Sequence, residues 1–226
     1  MLNWNKMKNI SGYIFSMMLL LLLTNTVTGQ DTLRTYGPRF GLDLSRFAYL
    51  LATPVETGAE VSADVELYKN IYPVFELGYN RISEEGDLFD YTAGGTYARL
   101  GIDYNLLPVT DRSEHHTISV GIRYAISRLT HSVEGAVIAN EYWGDRMLDS
   151  YENSVTGNWF ELVGGLKTEL VPNLFLGWLV RYKILLNPEM DPLVTPQLIP
   201  GYGKGTSERG FGITYSILYK IPLIKR

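Results

Sequence analysis

Past its first thirty residues the chain alternates. From Thr117 to Leu129, the apolar residues Ile118, Val120, Ile122, Tyr124 and Ile126 are interleaved with Ser119, Gly121, Arg123, Ala125 and Ser127. Successive side chains of a strand face opposite sides, so this segment predicts one apolar face and one face of small or charged residues. The pattern recurs. Phe211, Ile213, Tyr215, Ile217 and Tyr219 alternate with Gly212, Thr214, Ser216, Leu218 and Lys220, and Leu174, Leu176, Trp178, Val180 and Tyr182 with Phe175, Gly177, Leu179, Arg181 and Lys183. Ala98 to Leu106, Phe160 to Leu170, Phe40 to Leu44, Phe75 to Tyr79 and Val61 to Leu67 repeat it, which predicts about eight strands.

The connections are unequal in a regular way. Lys69 to Pro73 and Val171 to Asn173 read as tight turns and Leu107 to His116 as a moderate one. The alternate set is longer: Phe47 to Ala59, Ser83 to Ala93, Thr130 to Gly157 and Leu186 to Arg209. Short turns at one end and long loops at the other predict an eight-stranded antiparallel up-and-down transmembrane β-barrel, all-β, with periplasmic turns and extracellular loops.

A soluble, lipocalin-like barrel would show the same period turned inside out, its apolar face inward around a ligand. Three features favour the membrane form. Glycine recurs on the polar face (Gly41, Gly78, Gly101, Gly121, Gly165, Gly177 and Gly212), where it makes room for long side chains in a narrow lumen. Tyrosine and tryptophan recur on the apolar face, as at a lipid–water boundary. The charges on the polar face nearly cancel. Asp43, Glu76, Asp103 and Glu161 stand against Arg99, Arg123, Lys167, Arg181, Lys183 and Lys220, and Asp64, Glu66 and Glu169 share the acidic side. Buried charges must be paired, so these residues are expected to form a structural ion-pair network filling a closed lumen.

The N-terminus completes this picture. Lys6 and Lys8 precede an apolar run from Tyr13 to Leu23 broken only by Ser16, and Thr24 to Gly29 are small or polar. That is the form of an export signal, too short to be a spanning helix, and it divides the chain into a signal peptide at 1–29 and an outer-membrane barrel at 30–226 of a Gram-negative cell. Without Lys6 and Lys8 the net charge falls from −4 to −6. An acidic chain without basic clusters excludes nucleic acid as a partner and leaves outer-membrane lipid, with a larger membrane protein docked on the lipid-facing patches as a further partner. The chain has no cysteine, so disulfides and thiolate metal sites are excluded.

Three segments carry a resemblance: Gly37-Pro38-Arg39-Phe40-Gly41-Leu42-Asp43-Leu44-Ser45-Arg46-Phe47, Phe75-Glu76-Leu77-Gly78-Tyr79-Asn80 and Gly94-Gly95-Thr96-Tyr97-Ala98-Arg99-Leu100-Gly101. They resemble an uncharacterised family of small bacterial outer-membrane β-barrel proteins. The resemblance implies the barrel and brings no activity, cofactor or site residue with it.

Candidate chemistry is sparse. His115 and His116 fall on a turn with Glu114, without the convergent ligands a metal needs. His131, Ser132 and Glu134 stand where a strand meets the longest loop and form the one candidate for an outer-leaflet lipid-modifying enzyme. Adjacent strand residues face opposite sides, however, which separates His131 from Ser132 as base and nucleophile. Eight strands also leave no water-filled channel, because porins need about sixteen. The reading is a structural or interaction barrel, with no catalysis and no cofactor.

Overall fold

The computed structural model describes residues 35–46, 56–85, 89–107, 116–135, 137–138, 146–147 and 150–225. The segment 1–29 expected to be a signal peptide lies outside them, as do Glu114, His115, Tyr142 and Trp143. Eight strands form the wall: β1 Arg39–Asp43, β2 Glu56–Asp64, β3 Ile71–Glu85, β4 Asp90–Asn105, β5 Thr117–Glu134, β6 Tyr151–Val171, β7 Leu174–Leu185 and β8 Arg209–Lys220. Each pairs antiparallel with its sequence neighbour, and β8 pairs with β1 to close an up-and-down barrel. In that closing register Ser216 lies opposite Asp43 and Lys220 opposite Arg39.

At one end two of the connections, those before β3 and β7, are tight. Asn70 before β3 and Asn173 before β7 take positive φ values of 64° and 69°, a conformation asparagine tolerates better than most residues. At the other end the strands run further than the apolar–polar alternation of the sequence predicts. β5 continues to Glu134 and β6 begins at Tyr151, so much of the expected Thr130 to Gly157 loop is strand. Likewise β3 reaches Glu85, β4 starts at Asp90 and β2 starts at Glu56. The reason is that the alternation changes sense.

In the half near the tight turns, which we call the belt, apolar side chains point outward and are exposed. Ile118, Val120, Ile122, Tyr124 and Ile126 do so on β5, and Phe160 and Leu162 on β6. Arg123, Glu161 and Arg99 point inward and are buried. Nearer the loops, in what we call the crown, the sense is reversed. Tyr91, Ala93, Tyr97, Leu129, Val133, Val155 and Trp159 are now inside, and Thr96, Arg128, Thr130, Glu134, Glu152 and Thr156 are exposed outside. The change occurs at one level: Thr96, Arg128 and Thr156 are register partners across β4, β5 and β6. Asn158 stands at the border and donates to the Tyr124 hydroxyl at 3.3 Å.

The belt has the reverse of a soluble lipocalin's arrangement, in which apolar residues line the interior. That alternative is excluded for the belt by the outward Ile122, Leu100, Val180 and Ile213, all more than half exposed.

Candidate functional site

The interior is the candidate site, and it has three layers. In the middle, Glu60 of β2, Glu76 of β3 and Glu161 of β6 meet Arg99 of β4 and Arg181 of β7. Arg99 reaches all three carboxylates at 2.9 Å, and Arg181 holds Glu76 and Glu161 at 2.9 Å each. Arg123 of β5 lies 2.8 Å from Asp103 as an ion pair without hydrogen-bond alignment, and 3.6 Å from Glu76. All of these groups are buried. The strand period aims each at the axis, and a lumen this narrow brings their heads together. Tyr97 caps the layer, donating to Glu60 and lying under the Arg99 guanidinium at 4.6 Å. Its ring passes over Gly78, where any Cβ would overlap it.

Toward the tight turns, Asp64 accepts from Arg39 at 2.5 Å and from Lys167 at 2.7 Å, and Lys167 stands 3.9 Å from Asp103. This joins the lower layer to the middle one through Arg123. Tyr72 and Phe175 close the end, Arg39 lying 4.7 Å over the first ring and Lys220 5.3 Å over the second.

Of the ten residues expected to share a lumen, Glu76, Arg99, Asp103, Arg123, Glu161, Lys167 and Arg181 lie in this connected set. Asp43 is buried but serves the turn after β1, accepting from the Ser45 N–H at 2.8 Å and hydroxyl at 2.5 Å. Lys220 lies on Phe175. Lys183 donates to the carbonyls of Gly201 and Tyr202 at 2.7 and 2.9 Å, so its partners are backbone of the segment following β7. Sequence reading overlooked Glu60 and Arg39. Both share the inward parity of neighbours that it did count, Ser62 and Asp64 for the first, Gly41 and Asp43 for the second.

The third layer belongs to the crown. Residues 186–208 fold inward, and Ile199 is fully buried against Tyr97, Leu129, Trp159 and Tyr202. Leu198 joins Tyr91, Ala93 and Val133 in a second cluster. Burial pushes the Tyr202 hydroxyl up to about 12, and it donates to the Ser207 carbonyl at 2.7 Å. Arg99 also donates to the Gly201 carbonyl at 2.8 Å, tying this plug to the ion layer.

Asp191 pins the outer part of the plug. It accepts from the Tyr151 hydroxyl at 3.0 Å, Asn153 at 2.8 Å and the N–H groups of Leu193 and Val194 at 2.9 and 3.2 Å, and it meets His131 Nε2 at 2.9 Å. Burial works to raise its pKa, but the donors, the Leu193 N–H foremost, hold the carboxyl well below its ordinary value. His131 is therefore a buried strut. Ser132 and Glu134 point to the opposite side of the wall, so the three residues considered for lipid chemistry do not converge. His116 accompanies Thr168 at 2.8 Å on the outer surface. Among the described residues no cluster of histidine and carboxylate side chains has the form of a metal site.

No curated protein matches the chain. Among solved structures it is similar to Neisserial surface protein A (NspA), at 10% identity with a TM-score of 0.39, over 83% of this chain and 96% of that one. The model of one family, "Domain of unknown function (DUF6048)", matches residues 7–226. The eight-stranded barrel with its ion-filled belt and plugged crown thus belongs to a member of the DUF6048 family.

Proposed function

We propose that the protein is an integral barrel of the bacterial outer membrane, exported through the signal at 1–29, whose belt meets acyl chains and whose crown stands in water outside the cell. Its role is structural or one of interaction: a closed scaffold that offers its crown and outer wall to partners. The observation that carries this reading is the reversal of sidedness at one level of three neighbouring strands. Hydrocarbon outside favours apolar-out, and water outside favours apolar-in. A membrane-crossing strand needs about 9–11 residues, and the apolar-out run from Ile118 to Ile126 reaches the lower end of that range.

Two features favour a scaffold over a pore or an enzyme. The ion layer and the Ile199 plug fill the lumen in series, and His131 is committed to Asp191. In a planar bilayer the protein is expected to pass no steady current.

Because the chain has no cysteine, single replacements test the reading directly. In intact cells, cysteine at Ser132 should react with a water-soluble maleimide, and cysteine at Ile122 should react only with a lipid-soluble one. Ready labelling of Ile122 from water would overturn the membrane reading.

A further inference from the structure

The wall changes character at β1. This strand stops at Asp43, opposite Ser216, while β8 continues to Arg209 in register with β7. Beside this stretch of β8 lies a cavity of about 200 Å³. Its inner wall includes Arg181 of the ion layer, and its rim includes Phe211 and Ile213, which face outward and are 80% and 73% exposed. Its lining thus includes residues of both the inner and the outer face of β8.

The cations around it are not equally engaged. Arg181 is held by two carboxylates at 2.9 Å. Arg46 is held loosely: Glu56, Asp43 and Glu60 stand 3.4, 3.7 and 4.0 Å from it. It also donates to the Tyr97 hydroxyl at 3.4 Å. Charge-assisted hydrogen bonds are ordinarily about 2.7–2.9 Å, so among the described residues none of its contacts is that close. Lys183 gives two of its three N–H groups to carbonyls and, among the described residues, pairs with no carboxylate. Lys204 adds an exposed third cation at the rim. Gly212 lies on the inner face of β8 against Lys183. A Cβ there would lie 3.2 Å from Lys183 Cε, so glycine leaves the Lys183 side chain room beside the cavity.

From these contacts we infer that the cavity is a binding site for a phosphate monoester, whose oxygens are taken by Arg46 and Lys183 with Lys204 at the entrance. A small, multiply charged oxyanion suits one loosely held guanidinium beside one ammonium. A phospholipid with such a headgroup would lay its chains on Phe211 and Ile213. That source rests on the membrane reading above; the anion site does not.

The test uses the full chain folded in detergent. Native mass spectrometry compares retention of phosphatidic acid with phosphatidylcholine, and calorimetry measures glycerol 3-phosphate. Phosphatidic acid is expected to be held about tenfold more tightly than phosphatidylcholine, and Lys183→Met or Arg46→Gln should each remove about that factor. Gly212→Leu should crowd the Lys183 amine and weaken the lipid and glycerol 3-phosphate alike. Because Lys183 also anchors the plug, Lys204→Ala serves as a second variant that leaves the interior untouched, with an expected loss of about threefold. Binding of glycerol 3-phosphate without preference for phosphatidic acid would support the site and assign it a soluble ligand. Equal retention of the two lipids with no binding of glycerol 3-phosphate would overturn the inference. So would binding that none of the four variants changes. Were the protein soluble without detergent, the membrane reading would fail while the glycerol 3-phosphate measurement still decided the site.

Discussion

Belt and crown are built from the same strands, with the same period, in opposite senses. On β5, Ile122 faces out and Arg123 in; a few residues on, Thr130 faces out and Leu129 in. The period fixes which positions face out, and the residues placed there differ between the two halves. The two interiors are stabilised differently as a result. The crown gains from apolar burial, which is tolerant of small losses and roughly proportional to area. The belt holds desolvated ions, each tolerable only while its partners remain.

The sharpest way to break the comparison is to remove a carboxylate from the middle layer. Glu76→Ala leaves Arg99, Arg123 and Arg181 short of one shared partner, and urea unfolding in lipid vesicles should show a loss of about 3–5 kcal/mol. Replacing Glu76 and Arg181 together with apolar residues of similar volume should recover much of that loss, because the penalty comes from the orphaned charge.

In the crown, Ile199→Ala removes apolar contacts without stranding a charge. The expected loss is about 2–4 kcal/mol, read in the same unfolding experiment and in faster proteolysis of residues 186–208. A loss as large as that from Glu76→Ala, with no faster cleavage of the plug, would erase the distinction between belt and crown.

The smallest effect is expected at the outer pin. Asp191→Ala should cost roughly 1–3 kcal/mol, seen as faster exchange of the Leu193 and Val194 amides. Its pH dependence has a definite sign. The folded carboxyl titrates below its unfolded value, so its contribution is fully present above about pH 4 and fades as the pH falls further. Ser132→Ala, on the opposite side of the wall, should change stability by less than about 0.5 kcal/mol.

The belt was legible in the sequence because its apolar-out alternation is regular and its polar partners are few. Ile118 to Ile126 and the inward Arg99, Arg123 and Arg181 could be assigned by parity alone. The crown was not, since its strands carry polar residues on the outside, and a reader following the apolar-out pattern ends each strand where the sense reverses. Thr130 to Glu134 and Tyr151 to Gly157 were assigned to a loop for that reason. Asp191 was invisible because its partners His131, Tyr151 and Asn153 lie far away in sequence. Lys183 could not be separated from the other lumen cations, because its acceptors are main-chain carbonyls of a segment that reads as a proline-rich loop.

The pairing of β8 with β1 bears on how the chain reaches this state. Arg39–Asp43 and Ser216–Lys220 stand far apart in the polypeptide, so closing the cylinder joins two distant segments. Joining such distant segments is entropically slow, and until it happens both edges keep free N–H and C=O groups that hydrocarbon cannot satisfy. In a bilayer, the setting proposed above, assembly would therefore call for something that shelters two open sheet edges until the first strand meets the last.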